Sequence, residues 1–372
     1  MAKKRIGIVA RGLTQGGVGK FVTEVLGEYD KKPPKDADII VITDEPSFVT
    51  QYPKLEVVVI KKRFKLLWDY VLLLQILLKL NLDSVLYTKN IIPFTHLFGS
   101  WKKVVVVYDL AFMYPELQAY KFFDSLYMRT FLGISLRIAN TVCSISQFTK
   151  DEILKFYPST AASKIQVIHL GVSEKYFSKV SEKRKQALIS KLDLKLPFIF
   201  YCGSISPRKN ILRLIKAFEQ VADTLPHQLY LVSGTNWNAN EVFEYWQQSY
   251  YKGRITFIDF LSEDELITLY NLANGFVYIS LYEGFGLPII EAQASRCPLI
   301  AGNIISSLEV GGDGANYVDP YEIQSISSAI LSTVIDKKIV DVQVGSGSKN
   351  AKRYTWSVTS GELLHLMLRL FY

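Results

Sequence analysis

Residues 280–301 read SLYEGFGLPIIEAQASRCPLIA, and almost every position in them has a structural reading. A strand ends near Ser280, and the loop after it holds Glu283, Gly284, Phe285 and Gly286. Pro288 suits a first helical turn, where a backbone N–H has no partner to lose. The helix runs over Pro288–Ser295, and Pro298–Ala301 returns as the next strand. Strand, glycine loop, helix and strand make the repeating unit of a parallel sheet. The glycines leave backbone N–H groups uncovered at the helix start, so a phosphate can rest there. Glu291, about a turn into the helix, is placed as an acceptor for ribose hydroxyls, and Glu283 lies nearer a sugar. The plainer alternative is a helix N-terminus with favourable acids, each worth a few tenths of a kcal/mol.

Working outward, the same plan recurs. In the second half Phe198–Cys202, Leu229–Ser233, Ile255–Ile258 and Phe276–Ser280 read as strands, and Ile211–Ala222 as a helix. In the first half Ile6–Ala10, Ile39–Thr43, Val57–Ile60, Ser84–Tyr87, Val104–Tyr108 and Thr141–Ile145 are short apolar runs, and Val18–Tyr29 is amphipathic. Short apolar strands between helices indicate parallel sheets covered on both faces. The chain has 372 residues, more than one ordinary core needs, so two domains are expected. Between the halves, 173–197 is rich in Lys, Ser and Glu and reads as the boundary. Ligands of such folds bind beyond the carboxyl ends of strands.

Apolar residues make up 49% of the chain and charged residues 21%, which excludes a largely disordered protein. The formal net charge of +8 suits an anionic partner without choosing among nucleotide phosphate, lipid diphosphate, membrane and nucleic acid. Three scattered cysteines, Cys143, Cys202 and Cys297, fit a reducing cytosolic setting. The first apolar run, Ile6–Ala10, is too short for a signal-peptide core. His96, His169, His227 and His365 show no metal-ligand spacing.

QGGVGKFV at 15–22 is not a P-loop, because Thr14 and Phe21 occupy the positions of the required glycine and hydroxyl. It is not a dinucleotide fingerprint either, because Val22 replaces the third glycine. A Gly16-Gly17 turn before a helix remains, either an anion-facing turn or a tight turn only. In YCGSISPRKNILRLIKAF, 201–218, a strand ends at Gly203 and Arg208 and Lys209 precede a helix. Two cations at that place form a diphosphate site, or else a solvated basic loop.

With these motifs in hand, the chain resembles the family 4 glycosyltransferases. EGFGLPIIE, 283–291, is similar to their E-x7-E motif, and GSISPRKN to the phosphate loop of a PRKN subgroup. The likeness extends to YDLAFMYPE at 108–116, SISQFTKDEI at 144–153, SSLEVGGDGANYVDP at 306–320 and YTW at 354–356. The resemblance implies an α/β protein of the GT-B fold, with two doubly wound Rossmann-like domains facing across a cleft. The expected division is 1–185 for the acceptor-side domain and 186–354 for the donor domain, with 355–372 as a helix crossing back to the first. It also implies retaining transfer from a nucleoside-diphosphate sugar (UDP, GDP or dTDP) to a saccharide or polyprenyl-diphosphate-linked acceptor. Neither a metal nor a nucleic acid partner is expected. Arg208 and Lys209 then stabilise the leaving diphosphate, Glu283 the donor sugar or the developing positive charge, and Glu291 the ribose. Gly16, Gly17, Gly203 and the backbone of Phe285, Gly286 and Leu287 line the donor.

Three departures stand out. Tyr108-Asp109-Leu110 replaces the usual His-Asp-Leu, so the sugar differs, Asp109 shares the histidine's role, or activity is impaired. Ser204 stands where arginine is common, and Ser295-Arg296 replaces a small pair containing glycine. The chief alternative function is a non-catalytic GT-B partner that stabilises an active transferase. An epimerase or phosphorylase on the same fold fits the E-x7-E motif less well.

Two stretches have double readings. KKRFKLLWDYVLLLQILLKL, 61–80, is either a core helix with a solvated basic start or a helix lying on an anionic membrane. The second reading places the protein in the cytoplasm, peripherally on the inner membrane face. Trp237, Tyr245, Trp246, Tyr250 and Tyr251 form either an acceptor platform or ordinary packing.

Overall fold

Valine- and isoleucine-rich runs cannot leave water unless both their faces are covered, and here they build two parallel sheets. The computed structural model describes residues 3–12, 16–61 and 63–371. The first sheet holds β1 (Lys4–Ala10), β2 (Ala37–Thr43), β3 (Glu56–Val59), β4 (Ser84–Tyr87), β5 (Lys102–Val107), β6 (Thr141–Ser144) and β7 (Ile165–Val167). Its order is β3-β2-β1-β4-β5-β6-β7, with every pair parallel. The direction of winding therefore reverses between β1 and β4, where Ile6 pairs with Ser84. Loops leaving two such strands diverge and open a crevice.

The second sheet holds β8 (Phe198–Cys202), β9 (Gln228–Val232), β10 (Ile255–Ile258), β11 (Gly275–Tyr278), β12 (Leu299–Gly302) and β13 (Asn316–Val318). Its order is β10-β9-β8-β11-β12-β13, again all parallel. Winding reverses between β8 and β11, where Phe276 pairs with Phe200. The rings of Phe200 and Phe276 lie 4.9 Å apart, and Tyr270 closes on both at 5.0 and 5.1 Å. The short strands β7 and β13, three residues each, are additions to the sequence expectation.

The chain divides into two compact units. The first comprises residues through Met113, Tyr120–Gly171 and Thr355 onward, and the second Tyr114–Ala119 and Val172–Tyr354. The expected boundary at 185–186 thus moves to Gly171–Val172. The reason is that 173–197 is not a linker. Glu182–Leu192 is a helix whose charged side chains reach the neighbouring helix Glu263–Leu272, Arg184 to the Asp264 carbonyl at 2.9 Å and Lys191 to Glu265 at 2.5 Å. Tyr176, before it, is 1% exposed beside Tyr270. The short segment 114–119 joins the second unit through Gln118, whose carbonyl accepts from Trp237 Nε1 at 2.8 Å. The last helix, Trp356–Leu368, packs in the first unit, where Tyr29 Oη donates to the Ser360 carbonyl at 2.9 Å.

Residues 65–79 form one helical run with a π-helical turn over Trp68–Leu72. Trp68, Leu73 and Leu77 belong to the core of the first unit, whereas Phe64, Leu66, Leu67, Val71 and Leu78 are exposed. Lys62 lies outside the described residues. Among the described residues no helix is long and apolar enough to cross a membrane.

Candidate active site

In the second unit the loops after β8 and β11 leave adjacent strands at the reversal point, and they carry Arg208, Lys209 and Glu283. Gly203 follows β8 with φ of 151°, and a Cβ there would lie 2.5 Å from Tyr201 Oη, so this place admits only glycine without rearrangement. The turn Pro207–Lys209 follows, and Asn210 closes it at φ 64°. Asn210 Nδ2 donates to the Ile279 carbonyl at 3.2 Å and the Pro320 carbonyl at 2.6 Å. Leu281 N donates to the Arg208 carbonyl at 2.8 Å, and Arg208 donates to the Tyr282 carbonyl at 3.0 Å. These bonds lock the two loops together at fixed register.

Arg208 lies 2.9 Å from the Glu283 carboxylate, and Lys209 pairs with its other oxygen. Lys209 is 8% exposed and Glu283 7%, so this cluster is largely dry. Lys209 Nζ also donates to Tyr278 Oη at 3.2 Å. Burial by itself raises the Glu283 carboxyl, but the charges of Arg208 and Lys209 outweigh it and hold the group at about 2. Glu283 is therefore an anion at any physiological pH. Burial, and then the Glu283 charge, push the phenols of Tyr201 and Tyr278 well above their ordinary value, so both stay neutral.

The 283–291 stretch then enters the helix Leu287–Ala294. Gly286 is its N-cap at φ 97°, with no side chain capping the first turn. Phe285 is 2% exposed and its ring lies 5.8 Å from that of Tyr354, so its side chain is taken up by packing. Glu291 is buried on the same helix. Past its end Arg296 takes φ of 57°, a left-handed conformation that glycine adopts at lower cost.

The first unit holds Gly16, Gly17, Tyr108 and Asp109. Gly16 and Gly17 are exposed at the start of the helix Gly17–Lys31, and Thr14 and Gln15 lie outside the described residues. Tyr108 and Asp109 follow β5 and line a cavity of about 300 Å³ at the β1–β4 reversal. Asn90 positions them, its Oδ1 accepting from Tyr108 N at 3.0 Å. Asp109 Oδ1 accepts from Ala111 N at 3.1 Å. Among the described residues the buried Tyr108 hydroxyl has no hydrogen-bond partner, and burial keeps it neutral, far above the ordinary phenol value.

Arg11, Lys89 and Asn90 also line this cavity, and motif reading missed them. Arg11 is held by Asp69 at 2.8 Å and stacks over Trp68 at 4.9 Å. Each of the three lies within three residues of the end of β1 or β4. That position, rather than any motif, was the available signal. The aromatic segment of the second unit is only partly packed: Tyr250 is 92% exposed and Trp237 38%, whereas Trp246 is held in place. Trp246 donates to the Ile255 carbonyl at 3.0 Å and lies edge-on to Phe257 at 5.0 Å. Among the described residues no group of three or more His, Cys, Asp or Glu side chains is arranged to hold a metal ion.

Comparison with known proteins places these features in a family. The pattern of the Glycosyl transferases group 1 matches residues 182–349. The chain is 31% identical over 265 residues to the O-antigen chain mannosyltransferase RfbU of Salmonella typhimurium, covering 71% of this chain and 68% of that one. It is 29% identical over 233 residues to the O-antigen chain mannosyltransferase B of Escherichia coli, covering 62% and 61%. The solved structure of HepE from Anabaena, in complex with UDP and glucose, superposes with a TM-score of 0.79 at 18% identity, over 98% of this chain and 99% of that one.

Proposed function

The chain belongs to the group 1 glycosyl transferases, of the family 4 type with the GT-B fold, and on that premise we propose that it moves a sugar from a nucleoside-diphosphate sugar to a saccharide or polyprenyl-diphosphate-linked acceptor in surface-polysaccharide or glycoconjugate synthesis. The observation that carries the reading is the convergence of Arg208, Lys209 and Glu283 at the β8–β11 reversal. Breaking the bond between a sugar carbon and a diphosphate puts negative charge on the phosphate and positive charge on the carbon. Two cations and one permanent carboxylate are stabilisers of the right signs, already oriented before the reaction begins. In this proposal the phosphate oxygens compete with Glu283 for the two cations, and Glu283 acts by charge, since it carries no proton to give. Glu291 takes the ribose, and the backbone of Phe285–Leu287 takes phosphate and sugar.

Retention of configuration, independence of a metal and a cytoplasmic location belong to the same proposal. The cavity of the first unit is assigned to the acceptor. Tyr108, neutral, offers a hydrogen bond where the family has a histidine. A non-catalytic role rests on Tyr108 alone, whereas the four polar groups of the donor site are all present.

The test is a thermal-shift panel of UDP, GDP and dTDP with their sugars, mannosyl donors first because the named relatives are mannosyltransferases. One base is expected to stabilise the protein, and its sugar to be turned over in EDTA. Lys209→Ala should lower turnover by roughly 10²–10³-fold, the usual loss for one preorganised donor. A panel without any shift, or a Lys209→Ala enzyme at wild-type rate, sinks the assignment.

A further inference from the structure

Three neighbouring segments of the first unit leave an apolar face uncovered. Phe64 is 88% exposed, and Leu66, Leu67, Val71 and Leu78 are exposed on the helical run behind it. Phe98 is 85% exposed at the end of the turn Phe94–Phe98. Phe122 and Phe123, 75% and 79% exposed, open the helix Phe122–Ile138. The segments touch one another. Tyr70 and Phe94 have ring centroids 5.2 Å apart, Thr95 Oγ1 donates to the Tyr70 carbonyl at 3.1 Å, and the hydroxyls of Tyr70 and Tyr127 meet at 3.2 Å. Single exposed apolar residues are ordinary, but four phenylalanines this exposed in adjoining segments mark a docking surface.

The sequence of these segments is predominantly basic. Residues 61–80 hold five cations, Lys61, Lys62, Arg63, Lys65 and Lys79, against one acid, Asp69. That acid is bonded to Arg11 at 2.8 Å. Lys121 precedes Phe122, and Asp124 is the one acid in 120–128. Basic groups beside exposed phenylalanine and leucine match a bilayer surface with anionic headgroups.

We propose that this face docks on an anionic membrane, with Phe64, Phe98, Phe122 and Phe123 at the acyl boundary and Lys61, Arg63 and Lys121 among the headgroups. The same segments line the cavity of about 300 Å³ through Tyr70, Leu73, Pro93, Tyr120 and Tyr127. An acceptor carried on a lipid would thus arrive beside the cavity assigned to it. This last step rests on the transferase reading, while the docking surface stands on exposure and charge.

The experiment is co-sedimentation of the full chain with vesicles of phosphatidylcholine, alone or mixed with phosphatidylglycerol, with nucleotide binding measured on the same samples. Binding to the mixed vesicles only is expected, weakening as salt is raised. Phe98→Ser, and separately Phe122→Ser with Phe123→Ser, should each lower the bound fraction about tenfold and leave nucleotide binding intact. Arg63→Glu should remove the preference for anionic lipid. The proposal is overturned if wild type ignores the mixed vesicles or if both phenylalanine variants bind them as wild type does. A dimer in solution that Phe98→Ser dissolves would give the face to a second copy instead. Loss of vesicle binding with nucleotide binding kept leaves the transferase reading untouched, and the reverse result leaves the membrane surface standing.

Discussion

Glu283 is buried and ionised at once, because two cations were brought to it by a neighbouring strand. Its folded value, about 2, lies below the ordinary 4.5. The sign follows: the unfolded chain binds the proton more readily, so the cluster's contribution is complete above pH 4.5 and is lost as pH falls toward 2. Glu283→Gln should destabilise the protein by roughly 3–5 kcal/mol at pH 7, the usual result of leaving buried partners uncompensated. The deficit should narrow at pH 4 and again at pH 3. Urea unfolding of both proteins at the three values measures it, and a deficit independent of pH would remove the ion pair from the account. The residue types of this cluster were readable in PRKN and EGFG. Their direct pairing was not, because the two loops are far apart in the chain and meet only through strand order.

At the scale of elements, the helix Leu287–Ala294 starts without a side-chain cap, and Gly286 supplies the left-handed turn into it. A Cβ on Gly286 would lie 3.1 Å from Ile289 Cδ1 and 3.4 Å from Tyr278 Cε1. Gly286→Ala should therefore cost about 1–2 kcal/mol for the left-handed backbone alone. It should also weaken nucleotide binding, since the N–H groups of that turn would shift. Calorimetric titration with the base chosen by the thermal-shift panel checks this, and an unchanged dissociation constant would clear Gly286 of any role in the donor site. Two other elements show where sequence patterns mislead. The basic segment 173–197 resembled a linker, yet its charges serve helix-to-helix contacts. The run 61–80 is apolar nearly all round, so periodicity could not say which residues face the core. Packing selected Trp68, Leu73 and Leu77.

For the whole molecule, the chain returns at its end to complete the unit in which it began. Leu363 and Met367 of the last helix are fully buried there, and Thr359 Oγ1 donates to the His169 carbonyl at 2.8 Å. Each unit is compact by itself, so damage within one should be local. Leu363→Ala should cost about 2–5 kcal/mol in the first unit. Hydrogen exchange should speed up across Gly17–Lys31 and Trp356–Leu368 and stay unchanged across Leu287–Ala294. Equal loss of protection in both places would mean that the chain unfolds as a single cooperative body.

By itself the sequence determined the class of fold and the residue types of the proposed donor site, because both reside in local signals. Buried parallel strands must be short apolar runs, and a phosphate-binding helix start must carry glycines and nearby cations. Only the tertiary structure decided which groups touch. It placed Glu283 between Arg208 and Lys209, gathered Arg11, Lys89 and Asn90 at the β1–β4 reversal, and brought the segments around Tyr70, Phe94 and Tyr127 into contact. Strand order and burial arise from contacts between residues far apart in the chain, and no local pattern records them.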